Sequence, residues 1–190
     1  DQDLFENICL IATNVKHSPW GIAFNESQRL ALVADPTLNY TYDGAGEKGL
    51  KAARAIAMLS YRNQRTYGAT QTDDDSKIDN FKASGYQRYQ GDKLVKRFSP
   101  HAYWFLSKAM DSHNISRDRG KTEDILEQIK SNALILGLED DILFPPQEQQ
   151  FIASHIPNAK FKLVSSIYGH DGFLIETESI GNYIKDFLSN

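Results

Sequence analysis

The sequence predicts an α/β fold, with strands of a parallel sheet flanked by helices and a helical insertion between them. Three observations carry this. Ala133-Leu134-Ile135-Leu136 is a continuous apolar run bounded by turn residues, the pattern of a strand buried on both faces. A second short apolar stretch, residues 160–164, is followed by a glycine-flanked histidine and an amphipathic helix. Between Thr13 and Met110 the apolar spacing is helical, so that part interrupts the strand pattern.

Residues 8–12 form the first apolar strand, and Cys9 within it reads as a buried small hydrophobe. A chain that enters sheet so abruptly, starting at Asp1, is expected to lack the front of its fold. Residues 22–34 are helix-like and stop before Asp35-Pro36, a pair that disfavours further helix. Leu50, Ala53, Ala57 and Tyr61 mark a second helix, with Ile56 and Leu59 widening a face expected to be well buried. Asp73-Asp74-Asp75 is a solvated loop. Residues 81–98 are helical in part, with Tyr86 and Tyr89 on one face. Ser99 caps a further helix with Pro100 at its first position, and Tyr103, Leu106 and Met110 form its expected inward stripe. Thr122, with Glu123 and Asp124, is expected to cap the last helix before the 133–136 strand. After that strand Pro145-Pro146 opens a helix with Phe151, Ile152 and Ile156 inward. The final helix places Ile180, Tyr183, Ile184, Phe187 and Leu188 on one face. The expected division is 1–21 with 120–190 for the α/β part, and 22–119 for the helical insertion.

Composition removes several function classes. At 190 residues, 41% hydrophobic and 24% charged, the chain is long enough for one sizeable core. A net charge of -4 leaves no electrostatic footprint for nucleic acid, and no apolar run is long enough to span a bilayer. One cysteine excludes an internal disulfide and suits a reducing, cytoplasmic compartment. The histidines are scattered without zinc-ligand spacing, so no metal site is expected. Gly44-Ala45-Gly46 follows no strand and makes no dinucleotide loop.

Two loops are candidates for chemistry. The strand at 133–136 delivers Asp140-Asp141, and the strand at 160–164 delivers His170 on Tyr168-Gly169-His170-Asp171-Gly172. Strand, acid, helix, strand, histidine, helix is an order in which one sheet family presents the last two members of a Ser-Asp-His triad. The acid, for which Asp141 is favoured, fixes the imidazole tautomer, and the histidine carries the proton. The plain alternatives are a helix-start acid facing the macrodipole and a surface histidine.

Seven segments, in order, carry a resemblance along almost the whole chain. They are His17-Ser18-Pro19-Trp20-Gly21-Ile22-Ala23-Phe24-Asn25, the Tyr61-Arg62 pair, residues 86–91, residues 93–98, Ala109-Met110-Asp111-Ser112-His113-Asn114, Asp141-Ile142-Leu143-Phe144-Pro145, and Tyr168-Gly169-His170-Asp171-Gly172-Phe173-Leu174. Together they resemble the C-terminal part of homoserine O-acetyltransferases, members of the α/β-hydrolase superfamily with a helical lid. The resemblance implies acyl transfer from acetyl-CoA to homoserine through an acyl-serine, as in methionine biosynthesis. It makes Asp141 and His170 the acid and base, and Arg62 and Asp171 the groups that hold the substrate. A zwitterionic amino acid calls for one fixed cation and one fixed anion, which suits that pair. Alone, Arg62 reads as a surface cation at a helix C-terminus and Asp171 as a helix-start acid. The resemblance also implies no bound cofactor, acetyl-CoA entering as acyl donor, and a homodimer joined through helices between Ile22 and Met110. A succinyl donor, a serine acceptor, an acyl hydrolase or a non-catalytic dimerising role remain alternatives.

The chain departs from that pattern in one large respect. No Gly-x-Ser-x-Gly elbow, in either of its usual forms, occurs in the 190 residues. Ser18 lacks the flanking glycines of the strained turn, so it is not a substitute. Gly85 replaces a serine of the Tyr-x-x-Tyr-Gln-Gly segment, and the loop at residues 70–77 is short. The chain is therefore expected to be inactive alone.

Overall fold

The computed structural model describes residues 4–189; positions 1–3 and 190, the ends of the expected α/β part, lie outside the described residues. The chain divides into two compact units, Asp1–His17 with His113–Asn190, and Ser18–Ser112. Among the described residues no helix is long and apolar enough to cross a membrane.

The first unit is built on three parallel strands in the order β1 (Asn7–Ile11), β2 (Asn132–Leu138), β3 (Ala159–Val164). It also carries α6 (Thr122–Glu127), α7 (Pro146–His155), a 3-10 turn (Gly169–Asp171), α8 (Gly172–Ile175) and α9 (Thr177–Leu188). Strand alternation sorts the core of β2 to two faces. Ala133 and Ile135 join Ile8, Leu10 and Phe161 against Leu126 of α6 and Ile152 of α7, with Ile156 just beyond it. Leu134, Leu136 and Leu138 join Ile11 and Val164 against Ile180, Tyr183, Ile184 and Phe187 of α9. Gly137 lets α7 approach, since a Cβ there would stand 3.1 Å from Pro146.

The second unit is helical: α1 (Pro19–Val33), α2 (Glu47–Tyr61), α3 (Gln64–Gln71), α4 (Lys82–Val95) and α5 (Pro100–Asp111). Leu32, Leu38, Leu50, Ala53 and Leu94 form its apolar centre, with Phe98, Tyr103 and Trp104 packed on it. Gly46, the residue before α2, offers no side-chain cap. Buried Asp35 supplies one from outside the helix, accepting from the Gly49 N–H at 2.9 Å. A polar layer ties α1 to α5: buried Arg29 pairs with Glu26 and Asp111, and Asn25 donates to Asp111 at 2.9 Å.

Several sequence expectations are corrected here. Cys9 is exposed, on a strand that lies at the edge of the sheet among the described residues. On α5, Leu106 and Met110 are exposed, and Tyr103 with buried Ser107 forms the inner stripe. The polar contact with Arg29 selects this face over the apolar one. Leu59 is likewise exposed: α2 buries Leu50, Ala53, Ala57 and Met58 instead, one step round the helix. Leu188 and Leu163 are exposed at the end of α9 and on the edge strand β3. Helix α1 starts at Pro19, three residues earlier than its apolar spacing suggests, because Ser18 caps it by accepting from Gly21 N–H at 3.1 Å. Thr122 is the first residue of α6 rather than its cap; its hydroxyl donates to Ser116. Helix α3 takes in Thr70 and Gln71, which the polar composition reads as loop.

Candidate active site

Strands β2 and β3 are neighbours and parallel, so the loops that leave their C-terminal ends lie side by side. The β2 loop holds Asp141. Its Oδ1 accepts from the backbone N–H groups of Leu143 at 2.8 Å and Phe144 at 2.9 Å, which fixes the carboxylate with its side chain fully buried. The β3 loop turns at Gly169, where φ is +61°, a conformation glycine adopts without strain. His170 follows in the 3-10 turn, and its Nδ1 donates to Asp141 Oδ2 at 2.7 Å. A carboxylate accepts only, so this bond commits the proton to Nδ1 and leaves Nε2 as the nitrogen that takes up or gives a proton.

Two phenylalanines hold the ring. Phe144 lies 5.1 Å and Phe173 5.2 Å from it, centroid to centroid. Behind the turn, Ser166 Oγ accepts from the Tyr168 N–H, and Gly172 packs so closely that a Cβ would meet Ser166 Oγ at 2.7 Å. The imidazole stays 15% exposed while the side chain of its acid is fully buried, an arrangement suited to proton transfer at the protein surface.

Asp171 is the next residue of the same turn and is half-buried. Arg62 belongs to the helical unit, as the C-cap residue of α2, with its guanidinium 5.0 Å over the Tyr86 ring. The structure thus brings together Asp141 and His170, and Asp171 by adjacency; Arg62 is held by stacking on an aromatic face. Phe144, Phe173 and the acid Glu148 in the first turn of α7 escaped the sequence reading. The two phenylalanines stand within the resembling segments with no role of their own, and Glu148 is not singled out. Among the described residues no group of three or more His, Cys, Asp or Glu side chains could hold a metal ion.

No family model matches the chain. A homoserine O-acetyltransferase of Cyclobacterium marinum is 50% identical over 182 residues, 96% of this chain and 52% of the relative. One from Chloroherpeton thalassium is 39% identical over 188 residues. The chain is a homologue of homoserine O-acetyltransferases. It spans about half the length of the curated relatives it matches. Among solved structures, a homoserine O-acetyltransferase from Staphylococcus aureus is 26% identical with a TM-score of 0.78, over 97% of this chain and 51% of that one. The homoserine O-acetyltransferase from Bacillus anthracis superposes with a TM-score of 0.89 at 15% identity, and the L374D mutant of esterase E22 with 0.86 at 17%; these share the fold. The three parallel strands and their helices are thus part of an α/β-hydrolase fold.

Proposed function

We propose that this chain supplies the acid, the base and the acceptor-binding helical lid of a homoserine O-acetyltransferase. The observation that carries the reading is the 2.7 Å bond between His170 Nδ1 and Asp141 at the C-terminal edge of a parallel sheet. In this reading the nucleophile lies outside these 190 residues, which hold no Gly-x-Ser-x-Gly, and the half-length match to the relatives supports that.

In this scheme His170 Nε2 removes the serine proton as the hydroxyl attacks the thioester of acetyl-CoA, and Asp141 stabilises the imidazolium. Coenzyme A leaves as the thiol, taking that proton. The homoserine hydroxyl then attacks the acyl-serine, giving its proton to His170, which returns it to the serine. Arg62 is assigned to the amino-acid carboxylate and Asp171 to its ammonium, leaving the side-chain hydroxyl to react. No bound cofactor or metal enters the scheme. A cytoplasmic setting suits the single cysteine. A homodimer through the helical unit is supported by the exposed Leu30, Val33, Phe105 and Leu106 of α1 and α5.

A turnover assay with acetyl-CoA and L-homoserine tests the reading. No transfer is expected from the 190-residue chain alone, and transfer is expected when it is joined to the serine-bearing segment. Robust transfer by the short chain, or none by the joined protein, refutes it. Esterase activity retained in Arg62→Ala while transfer to homoserine falls would fit the assigned clamp.

A further inference from the structure

Arg62 stands where α2 hands over to α3, and its backbone is tied on both sides. Its N–H closes the last turn of α2 on the Met58 carbonyl at 3.2 Å. The next residue, Asn63, caps α3 by accepting from the Thr66 N–H at 3.0 Å. Between the two helices Arg62 is extended, with φ -118° and ψ 166°. Its side chain then meets a ring from a third helix: the guanidinium carbon lies 5.0 Å from the centroid of Tyr86 on α4.

The place of that ring is set by how α4 lies along α2. Gln87, beside it, donates from Nε2 to the Ala55 carbonyl at 3.1 Å. One turn on, Gly91 comes so close that a Cβ would stand 3.1 Å from the Lys51 carbonyl, and Lys51 pairs with Asp92 at 2.7 Å. From α3, the Tyr67 ring meets the Tyr86 ring edge-on, with centroids 5.9 Å apart at 86°. The ring under Arg62 is therefore held by α2 and α3, the two helices that Arg62 itself joins. A solvated arginine samples many rotamers, and ordering it only when a ligand arrives costs affinity. An aromatic face orders the cation beforehand. It does so without consuming the N–H donors, which lie in the guanidinium plane and match a carboxylate.

We propose that Tyr86 is a positioning residue for the acyl acceptor: its ring presets the Arg62 guanidinium for the carboxylate of the amino acid that takes the acyl group. This rests on the assignment of Arg62 to that carboxylate.

The test is steady-state kinetics on the full-length protein carrying this chain, with homoserine and acetyl-CoA varied separately. Tyr86→Leu is expected to lower kcat/KM for homoserine about fivefold, the size of one cation–π contact, and kcat/KM for acetyl-CoA far less. Tyr86→Phe keeps the ring face and should retain most of the homoserine value. In an Arg62→Ala background Tyr86→Leu should add little, because the group it positions is gone. Phenylalanine and a trifluorinated phenylalanine at position 86 pack alike, but fluorine weakens the negative face of the ring. A fall in kcat/KM for homoserine from the first to the second is expected, and this comparison decides the matter should Tyr86→Leu fail to fold. Equal losses on homoserine and acetyl-CoA, an undiminished effect of Tyr86→Leu in the Arg62→Ala background, or no effect of fluorination overturns the proposal and leaves the assignment of Arg62 standing. If Arg62→Ala itself keeps the wild-type kcat/KM for homoserine, that assignment falls and the proposal with it.

Discussion

The imidazole of His170 owes its position to a handful of contacts with different physical roles. Asp141 fixes the tautomer, two backbone N–H groups fix Asp141, and two phenylalanine rings fix the plane. Asp141→Asn keeps the shape and offers Nδ1 an amide that can turn a donor toward it, favouring the wrong tautomer. In the full-length protein kcat for acyl transfer is expected to fall on the order of 10^4-fold with folding intact, as measured by steady-state turnover beside thermal unfolding. Gly172 is a steric position. Gly172→Ala places a methyl against Ser166 and against Leu138, 3.0 Å away. A loss of about 1–3 kcal/mol in denaturant unfolding is expected, and Ser166→Gly in the same chain should recover part of it. At Glu148 the raised carboxyl pKa gives a definite sign. Between the ordinary glutamate value and the raised one the native state holds a proton that the unfolded chain has released. Stability therefore falls as pH rises through that window. Urea midpoints from pH 4 to 7 should show this fall in the wild type and a flatter profile in Glu148→Gln.

Among the elements, α2 shows how a helix can be started by its neighbour. Gly46 caps its N-terminus in a left-handed conformation, φ +77°, and cannot satisfy the first N–H groups. Asp35 does so across the α1–α2 loop while also accepting from the Thr37 hydroxyl at 2.7 Å. Asp35→Ala is expected to cost about 1–2 kcal/mol in chemical denaturation. The Thr37 and backbone bonds hold the Asp35 carboxyl below its usual range. Its contribution is thus complete above the ordinary aspartate pKa and lost as pH falls through the lowered one. Gly49 complements it: a Cβ there would lie 2.5 Å from the Leu32 carbonyl, so α1 and α2 meet only because that position is bare.

For the molecule as a whole, each unit is closed by a different force. The α/β unit buries apolar side chains on both faces of a short parallel sheet. The helical unit adds a buried ionic layer, in which Arg29 carries two carboxylate partners. Arg29→Met would leave Asp111, whose side chain is 13% exposed, without its cation. A loss of about 3–5 kcal/mol is expected in equilibrium unfolding. The second edge of β1 has no strand beside it among the described residues, and Cys9 lies exposed there. If the serine-bearing segment completes the sheet at that edge, Cys9 should react with a thiol reagent in the 190-residue chain and be protected in the full-length protein.

Much of this was written in residue order. The 3.6 and 2.0 periodicities, the Ser99-Pro100 start and the apolar run at 133–136 are local signals, and each appears as the expected element. The acid and the histidine were legible because both follow strands, and parallel neighbours send their loops to the same edge. Only the folded chain decides which face of a helix is inside. Leu106, Met110 and Leu59 are apolar yet exposed, because Arg29, Asp111 and Gly49 fix how the helices meet. Likewise the Glu148–Asn14 bond spans 134 positions, and no pattern within either stretch announces it. Local sequence sets backbone preference; contacts between distant residues set burial, and burial gives a carboxylate its charge behaviour.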